Sequence, residues 1–320
     1  MSLPSPGLSC IAAPWAVLAL GALVSCSTES KPSDSSPAAS ETDDTAEPSC
    51  APPDWSLAGC LVRTFDDHDA DGRFPEVGTE LYDSEGRLVA WDERSPVEWD
   101  GYYACWRIFD GEHLMEELCV GQPSYRYTWT YAGDRVESRS YDAGDDGVID
   151  KVWTYTTDDE GRVLAEDIDE DLDGLPDARV EYSYDAEGNR STEAWDYDLD
   201  GTIDFTSHST YEDGRRILEE RDTDGNGTID ATKSWSFDEW GQPLEATEDD
   251  NNDGSPELTT TWTYVDCEPA NTITVGASGR RSVVELTVDE LRRTVRELHD
   301  FDSDGTADQD VRTSYECPNG

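Results

Sequence analysis

From about residue 60 onward, apolar residues fall at alternate positions in short runs separated by turn-forming residues. In "RVEYSYDAEGNRSTEAWDYDLDGTID", residues 179 to 204, Val180, Tyr182 and Tyr184 alternate with Glu181 and Ser183. A period of two is that of a strand with one covered face and one wet face. "DAEGN" then supplies turn residues and "RSTEAWD" runs back, so the segment predicts a β-hairpin. The acidic stretch that closes it carries no helical pattern on either flank.

The pattern recurs along the chain. Gly147, Gly174, Gly201, Gly227 and Gly254 close successive acidic loops at steps of 27, 27, 26 and 27 residues. Between them Gly161, Gly188, Gly214 and Gly241 mark a second kind of turn, each 13 residues before the next loop glycine. Each unit therefore has two strands and two turns. Aromatic residues recur in register: Tyr127, Trp129 and Tyr131; Trp153 and Tyr155; Trp235 and Phe237; Trp262 and Tyr264. Residues two apart share a face, so stacked units would line these rings into one stripe. The expected fold is all-β: tandem antiparallel hairpins of about 27 residues forming an extended or curled β-meander or solenoid-like sheet. Residues 284–308 keep the spacing without the turn glycine, and residues 66–91 begin the series. Residues 92–125 and 267–283 break the rhythm and read as insertions or caps.

"YDSEGRL" (82 to 88) and "YSYDAEGN" (182 to 189) resemble the YD repeats of the bacterial RHS group. That resemblance covers most of residues 66–315 and implies strands built into an extended, sometimes shell-like sheet. Two departures stand out: the period here is longer, because the second turn carries an acidic loop, and no toxin or enzyme domain is expected after Cys317. The toxin-delivery role of large RHS proteins is not carried over.

The acidic loops read as calcium sites. Calcium takes six to eight oxygens, and alternating Asp on a loop turned by Gly aims several carboxylates at one point. Five loops fill positions 1, 3, 5 and 9 with oxygen ligands and position 6 with Gly. They are Asp169, Asp171, Asp173 with Asp177; Asp196, Asp198, Asp200 with Asp204; Asp222, Asp224, Asn226 with Asp230; Asp249, Asn251, Asp253 with Glu257; and Asp300, Asp302, Asp304 with Asp308. Two more are weaker: Asp142, Asp146 and Asp150 surround Gly144, and Asp67, Asp69 and Asp71 are followed by Pro75 at position 9. An EF-hand would add a bidentate Glu at position 12, where Val180, Ser207, Lys233, Thr260 and Val311 stand instead. The loops look more like those of thrombospondin type 3 repeats, with the pattern DxDxDGxxD. Turn formation alone needs one Asp or Asn per loop, not four. With water completing the shell, affinity should lie near the weak extracellular range of roughly 0.1–1 mM.

The chain begins with an uncharged apolar run, "IAAPWAVLALGALV" (11 to 24), of signal-peptide length. "LVSC" (23 to 26) resembles the bacterial lipobox, which implies cleavage at residue 25 and a lipid anchor on Cys26. The opening "MSLPSPGLSC" lacks Lys and Arg, so an ordinary secretory signal is the alternative. Residues 26–49 are Ser, Pro and acid, a composition that reads as a disordered tether. Residues 50–125 form an irregular N-terminal β region, 126–266 the regular repeats, and 267–320 a degenerate repeat and cap. Six cysteines remain for disulfides, expected as Cys50 with Cys60, Cys105 with Cys119, and Cys267 with Cys317. The middle pair is the best founded, because "CWRIFDGEHLMEELC" reads as two strands joined at Asp110 and Gly111. With 74 Asp and Glu against 23 Lys and Arg, the net charge of -51 excludes nucleic acid and points to cationic partners.

No nucleophile motif or phosphate loop is present, and His68, His113, His208 and His299 stand apart from any Cys or Ser pattern. The expected function is therefore non-catalytic: a calcium-rigidified structural or adhesive protein of the cell envelope, an outer-membrane lipoprotein. Cell-surface polysaccharide or another envelope protein would be its partner. The alternative is a carbohydrate-binding module using the Trp/Tyr stripe.

Overall fold

The computed structural model describes residues 56–68, 72–73, 75–94, 102–121 and 123–318. The signal and tether segments, Cys26, Cys50, Asp69 and Asp71 lie outside them.

Twenty strands follow in order. They are β1 (Leu61–Asp67), β2 (Glu76–Tyr82), β3 (Leu88–Arg94), β4 (Tyr102–Asp110), β5 (His113–Val120), β6 (Tyr125–Ala132) and β7 (Arg135–Ala143). Next come β8 (Lys151–Thr157), β9 (Val163–Asp169), β10 (Ala178–Tyr184), β11 (Arg190–Asp196), β12 (Phe205–Glu212), β13 (Arg215–Asp222) and β14 (Ala231–Phe237). The last six are β15 (Pro243–Asp249), β16 (Leu258–Val265), β17 (Glu268–Gly276), β18 (Arg281–Val288), β19 (Thr294–Asp300) and β20 (Gln309–Glu316). Every strand pairs antiparallel with its neighbours in sequence, and β1 also pairs with β20 from Leu61↔Glu316 to Asp67↔Asp310.

That last pairing overturns the expected open sheet: the chain is a closed 20-stranded antiparallel barrel, not an extended or curled meander or solenoid. Closure satisfies the backbone groups that an open sheet of this length would leave bare on two edges. The curvature has a local origin. All nine hairpins with the short kind of turn shift register beside the turn, as at Ser183/Tyr184, Thr210/Tyr211 and Thr263/Tyr264. A bulge bends its strand and adds twist, and nine of them turn the sheet steadily. Within residues 92–125 and 267–283, where the sequence rhythm breaks and insertions or caps are expected, β4, β5, β17 and the start of β18 are ordinary members of the ring.

Closure also decides the cysteines. Cys60 precedes β1 and Cys317 follows β20, so the two meet at the seam and are bonded, with Cα atoms 4.2 Å apart. The expected pairs Cys50–Cys60 and Cys267–Cys317 are thereby excluded; Cys267 is disulfide-bonded elsewhere. Cys105 and Cys119 face each other across β4 and β5 and are bonded, as their spacing predicts.

The tyrosine-aspartate motif has a physical basis here. In the short turns the aspartate accepts the N–H four residues on: Arg87 to Asp83 at 2.9 Å, Arg162 to Asp158 at 2.8 Å and Arg293 to Asp289 at 3.0 Å. The same arginines return a guanidinium N–H to that carboxylate. Arg162 and Arg293 then stack on Tyr184 and Tyr315 of the next hairpin. Tyr184, Tyr211, Tyr264 and Tyr315 each donate their hydroxyl to the backbone carbonyl 21 residues earlier, at 2.8–3.1 Å. One tyrosine thus ties consecutive hairpins together.

Register places the aromatics of the regular repeats on one face, while Trp106 and Phe65 fall on the other. Cross-strand rows run Arg139–Trp153–Ile168–Ala178 and Tyr155–Glu166–Val180–Trp195–Phe205. Trp153, Ile168, Ala178 and Val180 form a buried cluster against which Tyr127, Tyr141, Tyr155, Tyr182 and Trp195 pack. The opposite face carries rows such as Thr192–His208–Glu220–Thr232–Asp249.

Candidate metal centres on the loop rim

Because strands alternate in direction, the two kinds of turn separate to opposite rims. The seven acidic loops connect β1–β2, β7–β8, β9–β10, β11–β12, β13–β14, β15–β16 and β19–β20, all at one rim. The short turns, Cys60 and Cys317 lie at the other.

Each loop is wound around its own carboxylates. The first Asp accepts the N–H of the glycine five residues on: Asp169 from Gly174, Asp196 from Gly201, Asp222 from Gly227, Asp249 from Gly254 and Asp300 from Gly305, all at 2.6–3.0 Å. Asp142 and Asp67 do the same with Gly147 and Gly72. The ninth-position acid accepts the N–H at position 2, as Asp204 does from Tyr197 at 2.7 Å and Asp308 from Phe301 at 2.8 Å. The fifth accepts the N–H at position 7, as Asp200 does from Thr202 at 2.7 Å. Hydrogen bonds from Thr202 hold the Asp200 carboxyl below the usual range, and those from Thr223 do so for Asp230.

These hydrogen bonds fix the carboxylates within the loop, and their oxygens gather. Asp169, Asp171 and Asp177 bring ligand oxygens within 4.8 Å of one another; so do Asp196, Asp198 and Asp204; Asp222, Asp224 and Asp230; and Asp300, Asp302 and Asp304. The loop from Asp249 to Glu257 uses an amide instead, the Asn251 Nδ2–H donating to Glu257 at 2.7 Å. Around Gly144 the acids Asp142, Asp146 and Asp150 are not gathered in this way, and neighbouring Asp145 is taken by Arg126 at 2.8 Å. At Asp67 the glycine bond is present, but Asp69 and Asp71 fall outside the described residues.

The loops also differ in how the first Asp is satisfied. Asp142, Asp222 and Asp249 are buried, and both oxygens of each accept loop amides. Asp196 Oδ1 and Asp300 Oδ1 are buried with no hydrogen-bond partner. A carboxylate oxygen shut from water without a donor is costly, and a cation would remove that cost.

A feature unread in the sequence is position 4. Asp145, Leu172, Leu199, Gly225, Asn252 and Ser303 all have φ between 51° and 67°, in the left-handed region. Gly225 and Asn252 were the available signal, since these residues accept that conformation most readily. At Gly225 a side chain would also collide with the Ile203 carbonyl of the preceding loop.

Fold and rim together define a closed up-and-down β-barrel with one rim built from carboxylate-lined loops. A porin-like protein from Bacteroides uniformis is similar over 83% of this chain and 100% of its own, at 14% identity and a TM-score of 0.38. A chain of the TcdB2-TccC3-TEV structure is similar over 78% of this chain at 14% identity and a TM-score of 0.34, and this chain spans only 15% of it. A porin-like protein from Bacteroides vulgatus matches over 79% and 97% of the two chains, at 12% identity and a TM-score of 0.29. No protein-family model matches the chain, and no curated protein does.

Proposed function

We propose that the chain is a non-catalytic, envelope-anchored barrel whose loop rim takes up calcium, with a structural or adhesive role. The observation that carries this reading is the convergence of carboxylate oxygens in four loops, two of which bury an oxygen with no donor. The donor set is all carboxylate and amide oxygen, which suits a hard divalent cation. Asp196, Asp198 and Asp204 would hold one ion and Asp300, Asp302 and Asp304 another, with weaker sites in the loops opened by Asp169 and Asp222. When bound, the ion would neutralise carboxylates that otherwise repel and would pin one hairpin to the next.

Both faces of the barrel bear on where it works. One carries Arg139, Glu166, Glu193, Arg221 and Lys233 among its aromatics, and the other carries Thr, Ser, Asp and Arg. Neither is the apolar band that lipid requires of a spanning barrel. A barrel standing in water, held to the envelope by its N-terminal anchor, fits both faces. The reading is tested by calcium titration calorimetry and by circular dichroism and protease resistance with and without EDTA. Calcium uptake with cooperative loss of structure in EDTA is expected; unchanged protease resistance in EDTA would sink the reading. Protease shaving of intact cells reports the side of the envelope.

A further inference from the structure

Three of the ten connections at the loop rim carry no acidic loop, and the one between β17 and β18 stands beside a groove. Between β17 and β18 the acidic loop is replaced by the four residues Ala277 to Arg280. Other loops lean on the one before: the Asn252 Nδ2–H donates to the Ile229 carbonyl at 3.0 Å, and Gly225 lies against the Ile203 carbonyl. The loop after β19 has no such neighbour, and its Ser303 hydroxyl reaches the Arg281 carbonyl on β18 at 2.9 Å instead. Under it lies a groove of about 430 Å³ over β17, β18 and β19.

The lining of this groove is unlike the rest of its face. Rows here run Ile273–Val283–Asp300 and Asn271–Glu285–Leu298, where neighbouring strands carry Thr232, Thr247 and Thr259. Ile273, Val283 and Leu298 make an aliphatic floor. Arg281 stands at the rim end, and Glu285 lies four residues down the same strand on the same face. Among the described residues, neither Arg280 nor Arg281 has an ion pair or an aromatic stack, whereas most of the other Lys and Arg residues do. In a chain with 74 acidic residues a guanidinium left without an anion is conspicuous.

We propose that this groove binds a short peptide with free termini and aliphatic side chains, lying along β18 with its carboxylate at Arg281 and its ammonium at Glu285. The span decides the ligand. Four residues of strand place the two charges about 13 Å apart. A free amino acid is far too short, whereas three to four extended residues cover about 10–14 Å. The groove volume lies within the usual range for small-ligand sites of about 300–1,000 Å³. Asn271, directly across from Glu285, offers a further hydrogen bond at the amine end.

The test uses the full chain, labelled at Ile, Leu and Val methyls, in buffer containing calcium, with tri-leucine as the probe. Methyl shifts of Ile273, Val283 and Leu298 should titrate with tri-leucine. N-acetyl-tri-leucine-amide, with both end charges removed, and leucine alone should each bind at least about tenfold more weakly. Arg281→Gln should lose about tenfold for tri-leucine while becoming indifferent to amidation, and Glu285→Gln should become indifferent to acetylation. Both residues are exposed, so folding should survive, and circular dichroism checks that it does. Equal binding of the free and blocked peptides, or the absence of methyl shifts at saturating tri-leucine, would overturn the proposal.

Discussion

Removing the Asp198 carboxylate should have opposite effects with and without calcium. Asp198 is exposed, and its one hydrogen bond is a long one, accepted from the Asp200 N–H at 3.2 Å. One of its oxygens lies within 4.8 Å of oxygens of Asp196 and Asp204. Two like charges at that separation repel by about 0.9 kcal/mol at the dielectric of water. Asp198→Ala should therefore be neutral or stabilising by up to about 1 kcal/mol in EDTA. With calcium the sign reverses. A site of about 0.1 mM affinity contributes about 1.4 kcal/mol at about 1 mM calcium, and a tenfold loss of affinity leaves about 0.4 kcal/mol. The variant should then be about 1 kcal/mol less stable than wild type, a shift of about 2–4 °C in Tm. Thermal unfolding followed by circular dichroism, wild type and variant side by side in EDTA and in calcium, reads both signs. Equal destabilisation in the two buffers would show that Asp198 acts through the apo loop and refute the reasoning.

Three further outcomes are expected. Cys60→Ser should cost more than Cys105→Ser, because the seam disulfide closes 257 residues against 14; loop-entropy scaling gives about 5.5 and 3 kcal/mol, and hydrogen exchange should accelerate in β1 and β20 rather than in β4 and β5. Leu199→Gly should be neutral or stabilise by up to about 1 kcal/mol in urea unfolding, since Leu199 sits at φ 56° where glycine carries no Cβ strain; a clear loss of stability would mean its side chain packs. The third concerns pH. Burial pushes Tyr155 and Tyr264 up from 10.0 to about 12, so their contribution is complete below pH 10 and lost as pH rises through about 12; part of the 295 nm tyrosinate signal should appear only there. At the acid end, hydrogen bonds from Arg296 and Arg312 lower the Asp310 carboxyl, so its contribution is present above the ordinary carboxylate range and lost as pH falls below it.

Comparing the sequence reading with the structure shows where local information stops. Strands, hairpins, both kinds of turn and loop positions 1, 3, 5, 6 and 9 were all legible, because each depends on residues within about ten positions of one another. Cys105–Cys119 was legible for the same reason: one hairpin brings the two together. Position 4 of the loops was not, since Leu172 and Leu199 occupy a backbone conformation that leucine alone would not suggest.

By itself the sequence determined an all-β chain of repeated hairpins with carboxylates alternating on one set of turns. Period-two patterning and turn residues act over a few bonds and need no knowledge of the whole. The tertiary structure alone decided that the sheet closes, that Cys60 meets Cys317, that the acidic loops share one rim, and that a groove opens beside the short β17–β18 connection. Closure depends on small bends summed over twenty strands, a property of the ring that no single repeat contains.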